Sequence, residues 1–256
     1  MITVAILNKQ RPVSYVRDII DSINSQTITP DKIIVSTDHE VYPDCEEHDA
    51  ITTIPVNGKN VASAKNALLM EALRAGTKRL FLIEDDIEIY KRDTLEKYIS
   101  LMDELDLGMV CNGYTNKSNY VLTAPSPRVR FITDDMSKGF DAVITNRHEV
   151  GDFVLINLEK NVLNFAEELD YFEFSEYAFQ CYKYGHIPAL NQFFDIEDSW
   201  KYVGPRPNCS STRKNDVKAI NEDQKKMSEM INNQWRIEND LKVILDYIVL
   251  KLQGEK

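Results

Sequence analysis

An α/β domain built on a mainly parallel sheet, with helices on both faces and a helical extension at the carboxyl terminus, is the fold class this sequence predicts. Three observations predict it. Across roughly the first 110 residues, short apolar runs alternate with stretches whose apolar residues recur three or four apart. The intervening helical stretches are about a dozen residues long, which suits right-handed crossovers between parallel neighbours. Each apolar run also gives way to a polar set, "NKQR", "TDHE", "NGKN" and then three carboxylates. A chain of 256 residues is long enough to bury the core such a sheet needs.

The elements follow in order. "ITVAIL" reads as a first strand, and Pro12 starts a helix whose inner face carries Val13, Val16, Ile20 and Ile23. "KIIVS" is a second strand and "ITTIPV" a third. Val61, Ala64, Leu68, Ala72 and Ala75 form the stripe of the next helix, closed by Gly76. "RLFLI" is the fourth strand; Leu95, Ile99, Met102 and Leu105 mark a helix before the strand "GMVC". Residues 112 to 150 are rich in turn formers and read as a long excursion beside the site. "GDFVLIN" returns as a strand, and "SEYAFQCYKYG" as a helix capped by Ser175 and ended by Gly185. From residue 215 the pattern is helical, with Leu241, Leu245, Ile248 and Leu252 on one face; mixed charge on the other face favours a packed or dimerising helix over one lying on a membrane. The expected boundaries are a domain over 1–212, with halves 1–111 and 112–212, and a tail over 213–256.

Composition excludes several classes. Hydrophobic residues at 43% and charged residues at 28% are globular values, which argues against disorder. A net charge of -11 argues against non-specific gripping of phosphate backbones, which needs clustered Lys and Arg. The opening "MITVAILNKQ" lacks the basic start and long apolar stretch of a signal peptide, and "VILDYIVLKL" is broken by Asp246 and Lys251 well short of a membrane span. The expected location is the cytoplasm. Cys45, Cys111, Cys181 and Cys209 form no CxxC pair, which fits reduced thiols; Cys45 and His48 make an isolated CxxH, better read as loop residues than as half a zinc site.

The carboxylates Glu84, Asp85 and Asp86 end the fourth strand, where ligands of open α/β sheets sit. Adjacent like charges repel, so something cationic belongs there. Oxygen donors in this number suit Mg²⁺ or Mn²⁺, and an extended backbone would turn Glu84 and Asp86 to one side and Asp85 to the other. The alternative is a solvated acidic turn ahead of a helix.

With these residues in view, "VAILNKQRPVSYVRDIIDSINSQTITPDKIIVSTD" and "NGKNVASAKNALLMEALRAGTKRLFLIEDD" resemble glycosyltransferases of the GT-A fold, family 2 in particular. The Glu-Asp-Asp motif is similar to that of N-acetylglucosaminyltransferase I. The resemblance covers roughly residues 2 to 100. It implies a Rossmann-like sheet that binds a nucleotide sugar, a UDP-sugar first of all, with Mn²⁺ or Mg²⁺. Asn8 takes the first-strand end, where the family usually has Thr; Arg11 and Asp38 go to the nucleotide base; and Lys65 takes the place usually held by Arg near the diphosphate. Glu84 and Asp85 go to ribose and metal, with Asp86 the direct metal ligand beside Glu84. Arg11 and Asp38 read by themselves are equally a surface residue and a turn residue.

Inverting transfer of this kind also needs a base for the acceptor hydroxyl. Within "YFEFSEYAFQCYKYGH" the resemblance favours Glu176, with Glu173 in reserve; the plain alternative for Glu176 is an early-turn residue stabilised by the helix dipole. His186 is the best placed histidine for a metal, and a surface residue otherwise. By the same likeness, Arg206 or Arg213 meets the diphosphate from a downstream loop. The expected activity is hexosyl-type transfer to an acceptor hydroxyl, with a glycan precursor favoured over a modified nucleic-acid base. A retaining enzyme is the nearest alternative. A sugar nucleotidyltransferase would want a glycine-rich loop where "LNKQRPV" stands, and a non-catalytic assembly module would not need all three carboxylates. Assembly as a homodimer through the terminal helix is the last expectation.

Overall fold

The computed structural model describes residues 1–8, 13–37, 51–56, 60–89, 91–104, 107–112, 129–131, 142–145, 153–160, 162–169, 173–183, 188–191 and 200–202, with 218, 221–223, 225, 226 and 229 in the tail. Nine strands make one sheet in the order β3-β2-β1-β4-β9-β6-β10-β8-β7. The first four are β1 (Ile2–Leu7), β2 (Lys32–Thr37), β3 (Ile51–Pro55) and β4 (Arg79–Glu84), all mutually parallel. Next come β6 (Met109–Asn112), β7 (Val129–Phe131), β8 (Ala142–Thr145), β9 (Phe153–Asn157) and β10 (Pro188–Asn191). β9 is antiparallel to both β4 and β6, and β8 to both β10 and β7, so these two run against the other seven. The sheet is mostly parallel, as the sequence predicts.

Helices cover both faces because each crossover is right-handed. β1 leads through α1 (Val13–Asn24) to β2 on one side, whereas β3 leads back through α2 (Val61–Arg74) to β4 on the other side of β1. The strand order therefore reverses at β1, and the loops after β1 and β4 border the resulting crevice.

Alternation along the strands divides the core in two. Val4, Ile6, Phe81, Ile83, Phe153 and Leu155 face α1 and α3 (Thr94–Glu104), where Ile19, Ile23, Tyr98 and Met102 are fully buried. Phe81 and Phe153 stack there at 5.7 Å, and Tyr98 lies 4.7 Å from Phe153. Ala5, Leu7, Leu80, Leu82, Val154 and Ile156 face α2 and α4 (Glu173–Lys183), meeting Leu68, Leu69, Phe174 and Tyr177. Each large side chain so buried contributes about 1.5 to 3 kcal/mol.

Caps and ties hold α2 in place. Asn60 closes a capping box with Ser63, and its Nδ2 donates to the Glu167 carbonyl at 2.6 Å. Asn66 accepts from the Phe165 amide at 2.8 Å, so the 162–169 segment is stitched to α2. Gly76 takes φ +80 just past the helix end, a left-handed conformation that suits the expected stop.

Four expectations change. α4 begins at Glu173, so Ser175 lies inside its first turn instead of capping it; contacts of Glu173 and Phe174 with α2 and Phe165 extend the helix backward. The 112–150 stretch contributes β7 and β8, strands of three and four residues that are too short for periodicity to reveal. A separate two-stranded sheet, β5 (Ile87–Ile89) with β11 (Trp200–Tyr202), escaped sequence reading for the same reason. Finally, the extended geometry imagined for the three carboxylates stops at Glu84, because Asp85 and Asp86 form a turn into β5. The described tail residues are helical, and the rest of 213–256 lies outside the described residues. No helix among the described residues is long and apolar enough to cross a membrane.

Candidate active site

Register brings the polar strand ends together. Leu7 pairs with Ser36 on β2 and with Glu84 on β4, so Asn8, Thr37 and the Asp85–Asp86 turn sit side by side at the carboxyl edge. Asn8 is buried there and its amide donates to Ser36 Oγ at 3.1 Å. Asp86 is buried at the turn, with Ile87 and Ile89 anchored in the core just beyond it.

The opposite wall is the start of α4. Since α2 and α4 cover the same face of the sheet, the second turn of α2 delivers Lys65 between β4 and α4. Its side chain is 1% exposed, and its Nζ donates to Glu173 Oε1 at 2.5 Å and to Glu84 Oε1 at 3.2 Å. The same ammonium lies 3.4 Å from the centroid of the Phe174 ring. A buried lysine is costly unless paired and hydrogen-bonded, and two carboxylates with an aromatic face meet that condition. Phe174 is held in turn edge-on by Phe165 at 5.5 Å, and Phe165 stacks on Tyr177 at 4.5 Å. Burial pushes the Tyr177 phenol well above its ordinary pKa, with nearby Cys181 adding to the effect.

Glu176, one turn along α4 from Glu173, is buried and accepts from Gln180 Nε2 at 2.6 Å. Gln180 Nε2 also donates to the Asn164 carbonyl at 3.0 Å, so the 162–169 segment steadies this carboxylate as well as α2. Acidic residues in a first turn are favoured by the helix dipole, and α4 carries both Glu173 and Glu176 there.

Of the residues singled out in the sequence, Asn8, Lys65, Glu84, Asp85, Asp86, Glu173 and Glu176 are described, and β1, α2, β4 and α4 bring them to this one edge. Arg11, Asp38, Arg206, Arg213, His186, Cys45 and His48 lie outside the described residues. Sequence reasoning missed Phe174 and Gln180. The i, i+4 spacing of Glu176 and Gln180 was a usable signal; the ring over Lys65 had none, because it joins residues 109 positions apart in sequence.

The donor set fits a hard divalent cation in its chemistry, because the turn after β4 offers only carboxylate oxygens. Among the described residues no three His, Cys, Asp or Glu side chains gather in a metal-holding group. Mg²⁺ and Mn²⁺ commonly take one or two carboxylates and complete their shell with water and substrate phosphates.

No family model and no curated protein sequence matches the chain. Solved structures do. Residues 1–349 of TarS from S. aureus match with TM-score 0.60 at 12% identity, covering 98% of this chain and 71% of that one. The mannosyltransferase PcManGT from Pyrobaculum calidifontis, in complex with GDP-Man and Mn²⁺, matches with TM-score 0.62 at 15% identity, covering 98% of this chain and 69% of that one. TarS 1–349 in complex with UDP-GlcNAc matches with TM-score 0.52 at 12% identity over 81% of this chain and 59% of that one. With its sheet order, its switch point at β1 and these likenesses, the chain has the GT-A glycosyltransferase fold.

Proposed function

We propose that the chain is a metal-dependent glycosyltransferase that moves a sugar from a nucleoside diphosphate donor, a UDP-sugar, to an acceptor hydroxyl with inversion. The observation that carries this reading is the junction, beside the switch point of a GT-A sheet, of the acidic end of β4 with the acidic first turn of α4, where Lys65 joins Glu84 to Glu173. Structures of the same fold in complex with UDP-GlcNAc, or with GDP-Man and Mn²⁺, support it.

In this reading Asp86, with Glu84, holds Mn²⁺ or Mg²⁺, and the bound ion offsets negative charge on the departing diphosphate. Glu176 accepts the proton of the attacking hydroxyl, steadied by Gln180; Glu173 is occupied by Lys65. Asn8 and Asp85 border the nucleoside, with Arg11 and Asp38 at the base and Arg206 or Arg213 at the diphosphate. The acceptor is a glycan precursor.

The test is to offer the full chain a panel of nucleotide sugars, UDP-GlcNAc and GDP-Man included, with Mn²⁺, and to follow release of nucleoside diphosphate. Turnover is expected with one donor class, abolished by EDTA, and reduced about a hundredfold or more in Asp86→Ala. Absence of turnover with every donor, or full turnover in Asp86→Ala, refutes the reading.

A further inference from the structure

We infer that Lys65 is a positioning residue whose ammonium ties the acidic end of β4 to the first turn of α4, and so sets where Glu176 stands relative to the donor. The inference rests on the glycosyltransferase reading above. Its basis is a three-element junction: Lys65 from α2, Glu84 from β4, and Glu173 with Phe174 from α4.

The geometry decides between two uses of this lysine. A diphosphate ligand must present its charge to the crevice, but the Lys65 side chain is 1% exposed and its ammonium already meets Glu173 Oε1, Glu84 Oε1 and the Phe174 face. Reaching a phosphate would leave both carboxylates of the junction without this cation, in a region already rich in negative charge. A strut, in contrast, needs the burial observed. Residues three apart lie on one face of a helix, so a hold on Glu173 is also a hold on the turn that carries Glu176. Phe165 packs against Phe174 in a T-shaped contact, and Gln180 fixes Glu176 to the 162–169 segment. The junction thus locks the rotation and the axial position of α4 against β4. Displacement of a reacting group by about 1 Å costs on the order of a hundredfold in rate, so loss of the junction is expected to appear in kcat.

The test uses the full-length double variant Lys65→Met/Glu173→Gln, which removes both buried charges of the tighter arm, alongside Lys65→Met. With Mn²⁺ and the best donor, kcat should fall about tenfold or more, while the donor KM and the Kd of UDP with Mn²⁺ stay within about threefold of the parent. Hydrogen exchange of the amides over residues 173–177 should speed up about tenfold or more, with the far-UV spectrum unchanged. A rise of about tenfold in KM and Kd at constant kcat would make Lys65 a phosphate ligand and overturn the inference. Parent-like kcat and exchange in a folded double variant would overturn it too. If the parent chain turns over no donor, the functional reading has failed; the tie is then judged by exchange alone, and unchanged exchange over 173–177 sinks it.

Discussion

Replacing Lys65 with Met tests how much of the fold hangs on the junction between α2, β4 and α4. The side chain is nearly fully buried, and the shorter of its two ion pairs among the described residues, to Glu173 at 2.5 Å, is enclosed on both sides, with Glu173 only 10% exposed. Removing one partner of a buried pair leaves an uncompensated charge and costs about 3 to 5 kcal/mol. The Glu84 arm is longer at 3.2 Å, and Glu84 is 28% exposed, so solvent takes over part of the lost partner and that arm adds less than about 1 kcal/mol. Methionine keeps the apolar stem against Phe174 but forfeits the cation over the ring, about 1 kcal/mol more. These terms overlap, so the expected loss is about 4 kcal/mol. With a slope of about 3 kcal/mol per molar urea, the unfolding midpoint followed by circular dichroism at neutral pH should fall by about 1.3 M. Adding Glu173→Gln should recover most of that loss, because a buried pair exchanged for neutral groups is near neutral in stability. A midpoint lowered by less than about 0.3 M in Lys65→Met would refute the reasoning, since it would mean that Glu173 finds water where the structure shows none of the exposure needed.

Two more outcomes can be checked by the same unfolding measurements. Asn60 caps α2 and also donates to Glu167, so Asn60→Ala should cost about 2 kcal/mol, whereas Asn60→Asp, which keeps the cap acceptor and loses the donor, should cost about half of that; an Asn60→Asp variant as stable as the parent would show that the tie to Glu167 contributes nothing. The Tyr177 phenol is held above its ordinary pKa of 10.0 by burial, so the fold favours its protonated form. That contribution is present in full below about pH 10 and is lost as pH rises beyond it, through the elevated folded value. Its hydroxyl lies near the Leu163 backbone without a well-formed hydrogen bond among the described residues, so Tyr177→Phe should match the parent within about 1 kcal/mol at pH 7 and lose less stability than the parent above about pH 10. Parallel curves across that range would contradict this account.

Much of the architecture was legible because it depends on local pattern. The first four strands and α1 to α3 are where the apolar runs and helical stripes put them, and Gly76 closes α2 with the left-handed backbone its residue type suggested. The clustering of Asn8 and the Glu84–Asp86 segment at one edge followed from the rule that loops after parallel strands share a side, and register confirms their adjacency. What failed was whatever depends on partners distant in sequence. β5 and β11 are three residues each and exist through each other. The start of α4 moved back two residues from Ser175 because Glu173 and Phe174 gain contacts on α2 and in the 162–169 segment.

The same division runs through the site. The sequence alone determined that a carboxylate cluster ends a buried parallel strand, since apolar run length and acidic residues are both written in neighbouring positions. Only the tertiary structure decided what those carboxylates face. Lys65, which the family resemblance put near the diphosphate, lies buried because α2 and α4 cover one face of the sheet and bring Glu84 and Glu173 within reach of one ammonium. Periodicity along a chain reports which side of an element is buried; the charge that meets it across the core is a matter of topology and packing, and no local pattern carries it.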